Sequence, residues 1–234
     1  MNDYAATFQK YYSTALLLDA AYRSRIPVGV PPSGLRPLKR QNKLAGPIST
    51  VQANNDLVSI LHAVDQAAAE DVIVIANQTF EVALLGDLIA TDGKHKGLAG
   101  FIVDGLVRDT TTLHDIDLPI FSRGSTPVGP LKLPADMKGI GQTGSELLLG
   151  EARIKPGDWA FGDADGVIFV PEKDLPVLYE SADQSLQREE ALTAALRSGQ
   201  SLGGLLDIAS FLEKRRSDPE ADFNDHLDRL NRAI

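Results

Sequence analysis

Three residues of this chain have types and spacing that could do chemistry together. Asp87 is followed, after twenty intervening residues, by the adjacent pair Arg108-Asp109. Two carboxylates with few other ligands suit a hard divalent cation such as Mg²⁺, which keeps several waters and takes one or two protein oxygens. An arginine offers a planar fork of donors that matches a ligand carboxylate. Gly86, just before Asp87, lets the backbone approach a ligand closely, and the amides of Leu88 and Ile89 would stand at a helix N-terminus, where anions bind. The same residues have a plain reading as helix caps and surface charge, and their spacing alone does not choose between the two.

The elements around them decide whether they can meet. From Asp87 to Asp109 the pattern holds one helix, one strand and one turn, so two successive βα connections could bring all three side chains to one sheet edge. The helix runs from Gly86-Asp87 to Lys94 with Gly97 as its stop, and residues 100–103 form a buried strand. Upstream, residues 47–53 suit a strand. Leu57, Ile60, Leu61 and Val64 then repeat at helical spacing behind Asn55 as a candidate cap, and residues 71–76 make a short apolar strand. Downstream, a helix follows Arg108 and residues 118–121 form the next strand. This alternation implies right-handed βαβ units with parallel pairing, which bind ligands beyond the carboxyl ends of their strands. Eleven of the 20 glycines fall between residues 86 and 150, where those ends lie.

The flanks read differently. Residues 1–24 look helical, with Ser13 as N-cap for the stretch to Tyr22, and Pro27, Pro31, Pro32 and Pro37 force an extended passage. Residues 155–171 read as two strands around the turn Asp163-Ala164-Asp165-Gly166. From Glu172 the chain is helical, with Leu178, Ala182, Leu192 and Leu196 on one face and Gly199 as terminator; after Lys214 it is polar and expected to be loosely held. The expected division is an N-terminal helical segment (1–24), an α/β core (25–171) and a C-terminal helical extension and tail (172–234).

Composition bounds the function classes. A chain of 234 residues is one large domain or a domain with helical extensions, and 43% hydrophobic with 24% charged residues is ordinary for a globular protein. The net charge of −9 argues against nucleic-acid partners. With no cysteine, thiolate nucleophiles, disulfides and cysteine-ligated metals are excluded. No apolar run approaches a membrane span, and Leu16-Leu17-Leu18 is stopped by Asp19 without a basic flank, so neither a membrane anchor nor a signal peptide is expected. The expected location is the cytoplasm.

The stretch "GDLIATDGKHKGLAGFIVDGLVRDTTTLHDIDLPIFSRGSTPVGP" closely resembles the family of 4-hydroxy-4-methyl-2-oxoglutarate aldolases and the protein regulators of ribonuclease E activity. "LAGPISTVQ" (44–52), "EDVIVIA" (70–76) and "PGDWAFGDADGVIFVP" (156–171) extend the likeness over residues 35–171 and, more weakly, to Gly199. The family's aldolases carry an aspartate, twenty residues, then arginine-aspartate, matched here by Asp87, Arg108 and Asp109. The resemblance implies a swivelling β/β/α-type fold, assembled as homotrimers or homohexamers. It implies that Asp109 coordinates Mg²⁺ or Mn²⁺ and that Asp87 holds a metal-bound water. Arg108 would grip the pyruvyl carboxylate and enolate, with Gly86 and the amides of Leu88 and Ile89 completing the cradle. The implied activity is divalent-metal-dependent release of pyruvate from 4-hydroxy-2-oxo acids. Examples are 4-hydroxy-4-methyl-2-oxoglutarate and 4-carboxy-4-hydroxy-2-oxoadipate, and oxaloacetate decarboxylation is an expected side activity.

Similar aldolases borrow an acidic residue from a neighbouring subunit's C-terminal helix, for which Glu189 or Glu190 would qualify here. The alternative is a non-catalytic binding protein like the ribonuclease regulators, which typically lack the aspartate that this chain retains as Asp109. Methyl transfer, a third activity attached to the family by name, lacks a glycine-rich nucleotide fingerprint here.

The remaining candidates read as structural. His62, His95, His114 and His226 lack metal-ligand spacing. Lys94 and Lys96 suit the C-terminal end of a helix dipole better than a Schiff base. Asp163 and Asp165 fit a turn, since the loop is too short for calcium. Arg123-Gly124 is either a distal carboxylate binder or surface. "ANQT" (76–79) replaces an Asp- and Gly-rich turn common in relatives, which bears on substrate range.

Overall fold

The computed structural model describes residues 3–77, 79–134 and 139–230; Gln78, within the "ANQT" turn, lies outside them. In chain order the elements begin with α1 (Tyr4–Tyr11), α2 (Thr14–Ser24), β1 (Arg36–Pro37), β2 (Leu44–Gln52), α3 (Leu57–Gln66) and β3 (Val72–Ala76). The central part holds β4 (Ala83–Leu85), α4 (Asp87–His95), β5 (Gly100–Val107), α5 (Thr110–Asp115) and β6 (Ile120–Ser125). Then follow β7 (Gln142–Thr143), β8 (Leu147–Leu149), β9 (Ala152–Ile154), β10 (Trp159–Asp163) and β11 (Gly166–Val170). Among the described residues four helices follow: α6 (Leu175–Arg197), α7 (Leu202–Leu205), α8 (Ile208–Ser217) and α9 (Phe223–Arg229).

Strands β2, β3, β5 and β6 run parallel, as the alternating pattern requires, and β10 and β11 add an antiparallel hairpin along β2. The strand order is β1-β6-β5-β3-β2-β10-β11, with β4 beside β5 and β7 beside β2. The two ends of this path nearly meet: a β-carbon on Gly166 of β11 would lie 3.3 Å from Nη1 of Arg36 in β1. The result is a mixed α/β domain around a nearly closed sheet.

Apolar side chains fill three layers. Ile60, Val64, Ala90 and Leu113 of α3, α4 and α5 pack on Ile73 and Val103 outside the sheet. Leu44, Phe121 and Phe169 fill its inner face. On the far side, α1, α2 and α6 bring Phe8, Leu17 and Leu178 onto Phe161 and Ile168 of the hairpin. The buried Asp163 carboxylate, at the tip of β10, accepts from Thr14 N and Thr14 Oγ1 at 2.7 Å each and from Asp165 N at 3.0 Å, tying α2 to the hairpin.

Several sequence expectations need correction. The N-terminal segment is two helices rather than one, because Tyr12 is extended; Ser13 caps the second through Leu16 N, as the sequence led one to expect. Asp56, not Asn55, caps α3, accepting from Val58 N and Ser59 N; Asn55 sits at φ +60 and is tied to Asn77 instead. Strand β5 does not stop at Val103 but runs on to Val107, since Asp104 pairs with Ala76 and with Arg123 rather than opening a turn. The segment after Lys214 is not loose throughout: α9 docks through buried His226 and Leu227 onto Leu192 and Leu206.

Candidate active site

Two parallel strands build the candidate site. Strands β4 and β5 lie side by side with Leu85 opposite Val107, and the Arg108 amide donates to the Leu85 carbonyl at 2.9 Å. Asp87 and Asp109 are each two residues beyond that matched pair. Chain segments separated by a helix and a strand therefore leave the sheet at the same place. Asp87 opens α4, and its Oδ1 accepts from Leu88 N at 2.8 Å. Asp109 stands at φ +58 at the start of α5, a left-handed conformation that a short polar residue tolerates better than most.

The plain capping reading fails at Asp109: its side chain makes no cap hydrogen bond to α5. The carboxylate turns back to Arg108 Nε, 3.2 Å away, and lies against Gly86. A β-carbon on Gly86 would sit 2.7 Å from Asp109 Oδ2 and 3.2 Å from Arg108 Nε. Gly129 does the same for the other end of the guanidinium, where a β-carbon would come within 2.5 Å of Arg108 Nη1. Two glycines thus leave the space in which Arg108 lies. Sequence reasoning found Gly86 and missed Gly129, whose only signal is its place in a glycine-rich interval.

Arg108 and Asp109 remain open to solvent, with side chains 46% and 37% exposed. Arg108, Gly86 and Asp87 line a cleft of about 320 Å³. Its far walls are apolar: Leu57 and Leu61 of α3, Leu88 and Ile89 of α4, and Leu131. Leu57 and Leu61 fit the core pattern by sequence, yet Ser59, Ile60, Ala63 and Val64 are the buried residues of α3 while Leu61 is 48% exposed.

The other candidates fall elsewhere. Arg123 is held by Asp104 and by the carbonyls of Pro32 (3.3 Å) and Ser33 (2.9 Å), so its guanidinium is committed within the fold. Glu189 faces Asp19 and Arg23 of its own chain; burial, then the Asp19 charge, raises its carboxyl above the usual range while Arg23 opposes. Glu190 is exposed, and neither glutamate lines the cleft of its own chain. Lys96 reaches Asp65 and Lys94 is exposed. His62, His95 and His114 are exposed, and His226 is buried against the Leu206 carbonyl at 2.9 Å. Among the described residues no group of three or more His, Asp or Glu side chains gathers as a metal cluster. The available donor set is thus Asp87 and Asp109, which fits a hard ion that retains most of its waters.

Comparison with known proteins agrees with this architecture. The RraA-like family model, described as Aldolase/RraA, matches residues 14–169. The chain belongs to the RraA-like family. A Halalkalibacterium halodurans protein provisionally named 4-hydroxy-4-methyl-2-oxoglutarate aldolase is 34% identical over 184 residues, covering 78% of this chain and 83% of its own. Among solved RraA-like folds, an uncharacterised protein from Pseudomonas syringae pv. tomato superposes with a TM-score of 0.74 at 25% identity, covering 86% of this chain and 91% of its own. The RNA-processing inhibitor RraA from Thermus thermophilis matches with a TM-score of 0.57 at 22% identity, over 67% of this chain and 92% of its own, and shows the shared fold alone. No described helix is long and apolar enough to cross a membrane.

Proposed function

We propose that this RraA-like protein is a divalent-metal-dependent lyase that cleaves 4-hydroxy-2-oxo acids to pyruvate and a carbonyl product. One observation carries the reading: the Leu85–Val107 register delivers Asp87, Arg108 and Asp109 to one edge, with Gly86 left bare beneath them. The name of the Halalkalibacterium halodurans relative supports the same reaction class.

The residues divide the task by their chemistry. Asp109 and Asp87 would hold Mg²⁺ or Mn²⁺, and the ion supplies Lewis-acid stabilisation of the negative charge that grows on the 2-oxo group as the C3–C4 bond breaks. Arg108, whose side chain is 46% exposed, binds the C1 carboxylate while its Nε stays on Asp109. The α4 N-terminus adds backbone donors at Leu88 and Ile89, although the Leu88 amide is shared with Asp87 Oδ1. Asp87, which lines the cleft, accepts the proton of the C4 hydroxyl directly or through one water. When C3–C4 breaks, its electron pair stays on the pyruvyl fragment as an enolate and C4 leaves as a carbonyl; the proton taken from the C4 hydroxyl is then returned to C3, which gives pyruvate and restores the Asp87 carboxylate. The same fragment arises when oxaloacetate loses CO₂, so decarboxylation belongs to the same site. Assembly into homotrimers or homohexamers would place further groups at the exposed mouth.

The test is pyruvate release from 4-hydroxy-4-methyl-2-oxoglutarate and 4-hydroxy-2-oxohexanoate with Mg²⁺ or Mn²⁺. Turnover should disappear with EDTA, return with added metal, and fall at least about 10³-fold in Asp109→Asn. Undiminished turnover after chelation, or no pyruvate from either acid, ends the reading; stoichiometric capture of a ribonuclease without pyruvate release would replace it by the binding-protein alternative.

A further inference from the structure

The leucine walls of the cleft bear on what the substrate carries beyond its 2-oxo acid head. We infer that this site prefers 2-oxo acids with an uncharged, apolar distal chain over dicarboxylates, an inference that rests on the 2-oxo acid reading above and narrows its substrate class.

With the head group on Arg108 and the start of α4, the remainder of the ligand must lie along the other walls of the cleft. Those are Leu57 and Leu61, one helical turn apart on α3, with Leu88 and Leu131. Leu88 is 80% exposed and Leu61 48%, far beyond what core leucines show in this chain. Among the described side chains Arg108 is the one cation lining the cleft, and it already faces Asp109 at 3.2 Å. Arg123, the other arginine that could have met a distal carboxylate, is committed to Asp104 and two carbonyls.

Within one protomer a second carboxylate on the ligand would therefore lie against leucine with no cation among the described lining side chains but Arg108, and it would share the cleft with the Asp87 carboxylate. An alkyl chain would gain instead, by about fourfold in affinity for each methylene removed from water. The volume of about 320 Å³ is at the small end for ligand pockets, and few oriented polar groups among apolar walls is the usual makeup of such sites. A short chain of three or four carbons beyond the 2-oxo group suits it.

The measurement is calorimetric binding of 2-oxohexanoate and 2-oxoglutarate to the intact protein with Mg²⁺ present, which needs no turnover. The expected result is tighter binding of 2-oxohexanoate by about tenfold or more, with the ratio narrowed or reversed in Leu61→Arg. Equal or tighter binding of 2-oxoglutarate overturns the inference and leaves the lyase reading standing. If the preference for 2-oxohexanoate holds while no 4-hydroxy-2-oxo acid is cleaved, the lyase reading falls and this one is kept. A third outcome also overturns it: Leu61→Arg reduces the assembly's mass in sedimentation and leaves the ligand ratio unchanged. In that case the leucine wall is a contact between copies.

Discussion

Gly86 and Asp109 are in such close contact that a β-carbon on the glycine would lie 2.7 Å from the aspartate's Oδ2. A Gly86→Ala substitution must therefore move the Asp109 carboxylate and the Arg108 side chain beside it. Both are ends of half-exposed side chains, so they can yield without disturbing the core. The expected outcome is a loss of turnover of about 10²-fold from misplacement, with stability to chemical denaturation changed by less than about 1 kcal/mol. Steady-state assays of pyruvate release beside urea melts of both proteins check it. A fall in stability that matched the loss of activity would remove the case for a local effect.

Arg123 gives the opposite pattern. Its guanidinium and the Asp104 carboxylate form an ion pair with both side chains mostly buried, 16% and 14% exposed. Removing the arginine strands Asp104 between β3 and β6 and frees the carbonyls of Pro32 and Ser33. Arg123→Ala should lower stability by about 3 kcal/mol while leaving KM for a 2-oxo acid within about twofold. An increase in KM of tenfold or more would instead place this arginine against the substrate.

These two arginines show how far the sequence could be read. The strands that open at Val72 and Gly100 begin as continuous apolar runs, and their alternation with helices is enough to expect the parallel pairing found. Strand β4 has no signal in the sequence, because three residues, Ala83-Leu84-Leu85, carry no period. That short strand is nevertheless what aligns Asp87 with Arg108 and Asp109. Their twenty-residue interval permits convergence, and the resemblance to known aldolases makes it the expectation, since a spacing does not reveal a register. The strand reads as ending at Val103 because Asp104 breaks the apolar run, and a cross-strand arginine lets it continue to Val107. The leucines of the cleft could not be told from core leucines, because periodicity assigns a face without saying whether anything covers it.

Asp163 anchors the helical layer to the sheet. It is 6% exposed, and three donors from Thr14 and Asp165 meet its carboxylate. Asp163→Ala leaves the Thr14 amide and hydroxyl buried without an acceptor, so destabilisation of about 3 kcal/mol is expected. Thr14→Val removes the hydroxyl but keeps the amide bond, and should cost about 1 kcal/mol. Denaturant midpoints of the two variants decide it; equal losses would mean that the hydroxyl, not the paired contacts, holds α2.

The acidic pair between α2 and α6 sets a pH dependence of stability. Asp19 and Glu189 both have carboxyls raised above their usual values, chiefly by burial; the Asp19 charge adds to the shift at Glu189, and Arg23 opposes both shifts. A carboxyl whose folded pKa is raised favours the folded state below its unfolded value of about 4, and that contribution is lost as pH rises through the folded value. At neutral pH both groups are charged in a place that disfavours charge, with Arg23 shared further with Asp228 at 3.4 Å. Glu189→Gln should therefore raise the urea midpoint at pH 7 and leave it unchanged near pH 3, with the gain appearing from about pH 4 upward. Arg23→Gln, which removes the opposing charge, should lower the midpoint at pH 7 and have little effect in acid. A stabilisation by Glu189→Gln that persisted undiminished at pH 3 would show that packing, rather than charge, separates the variant from the parent.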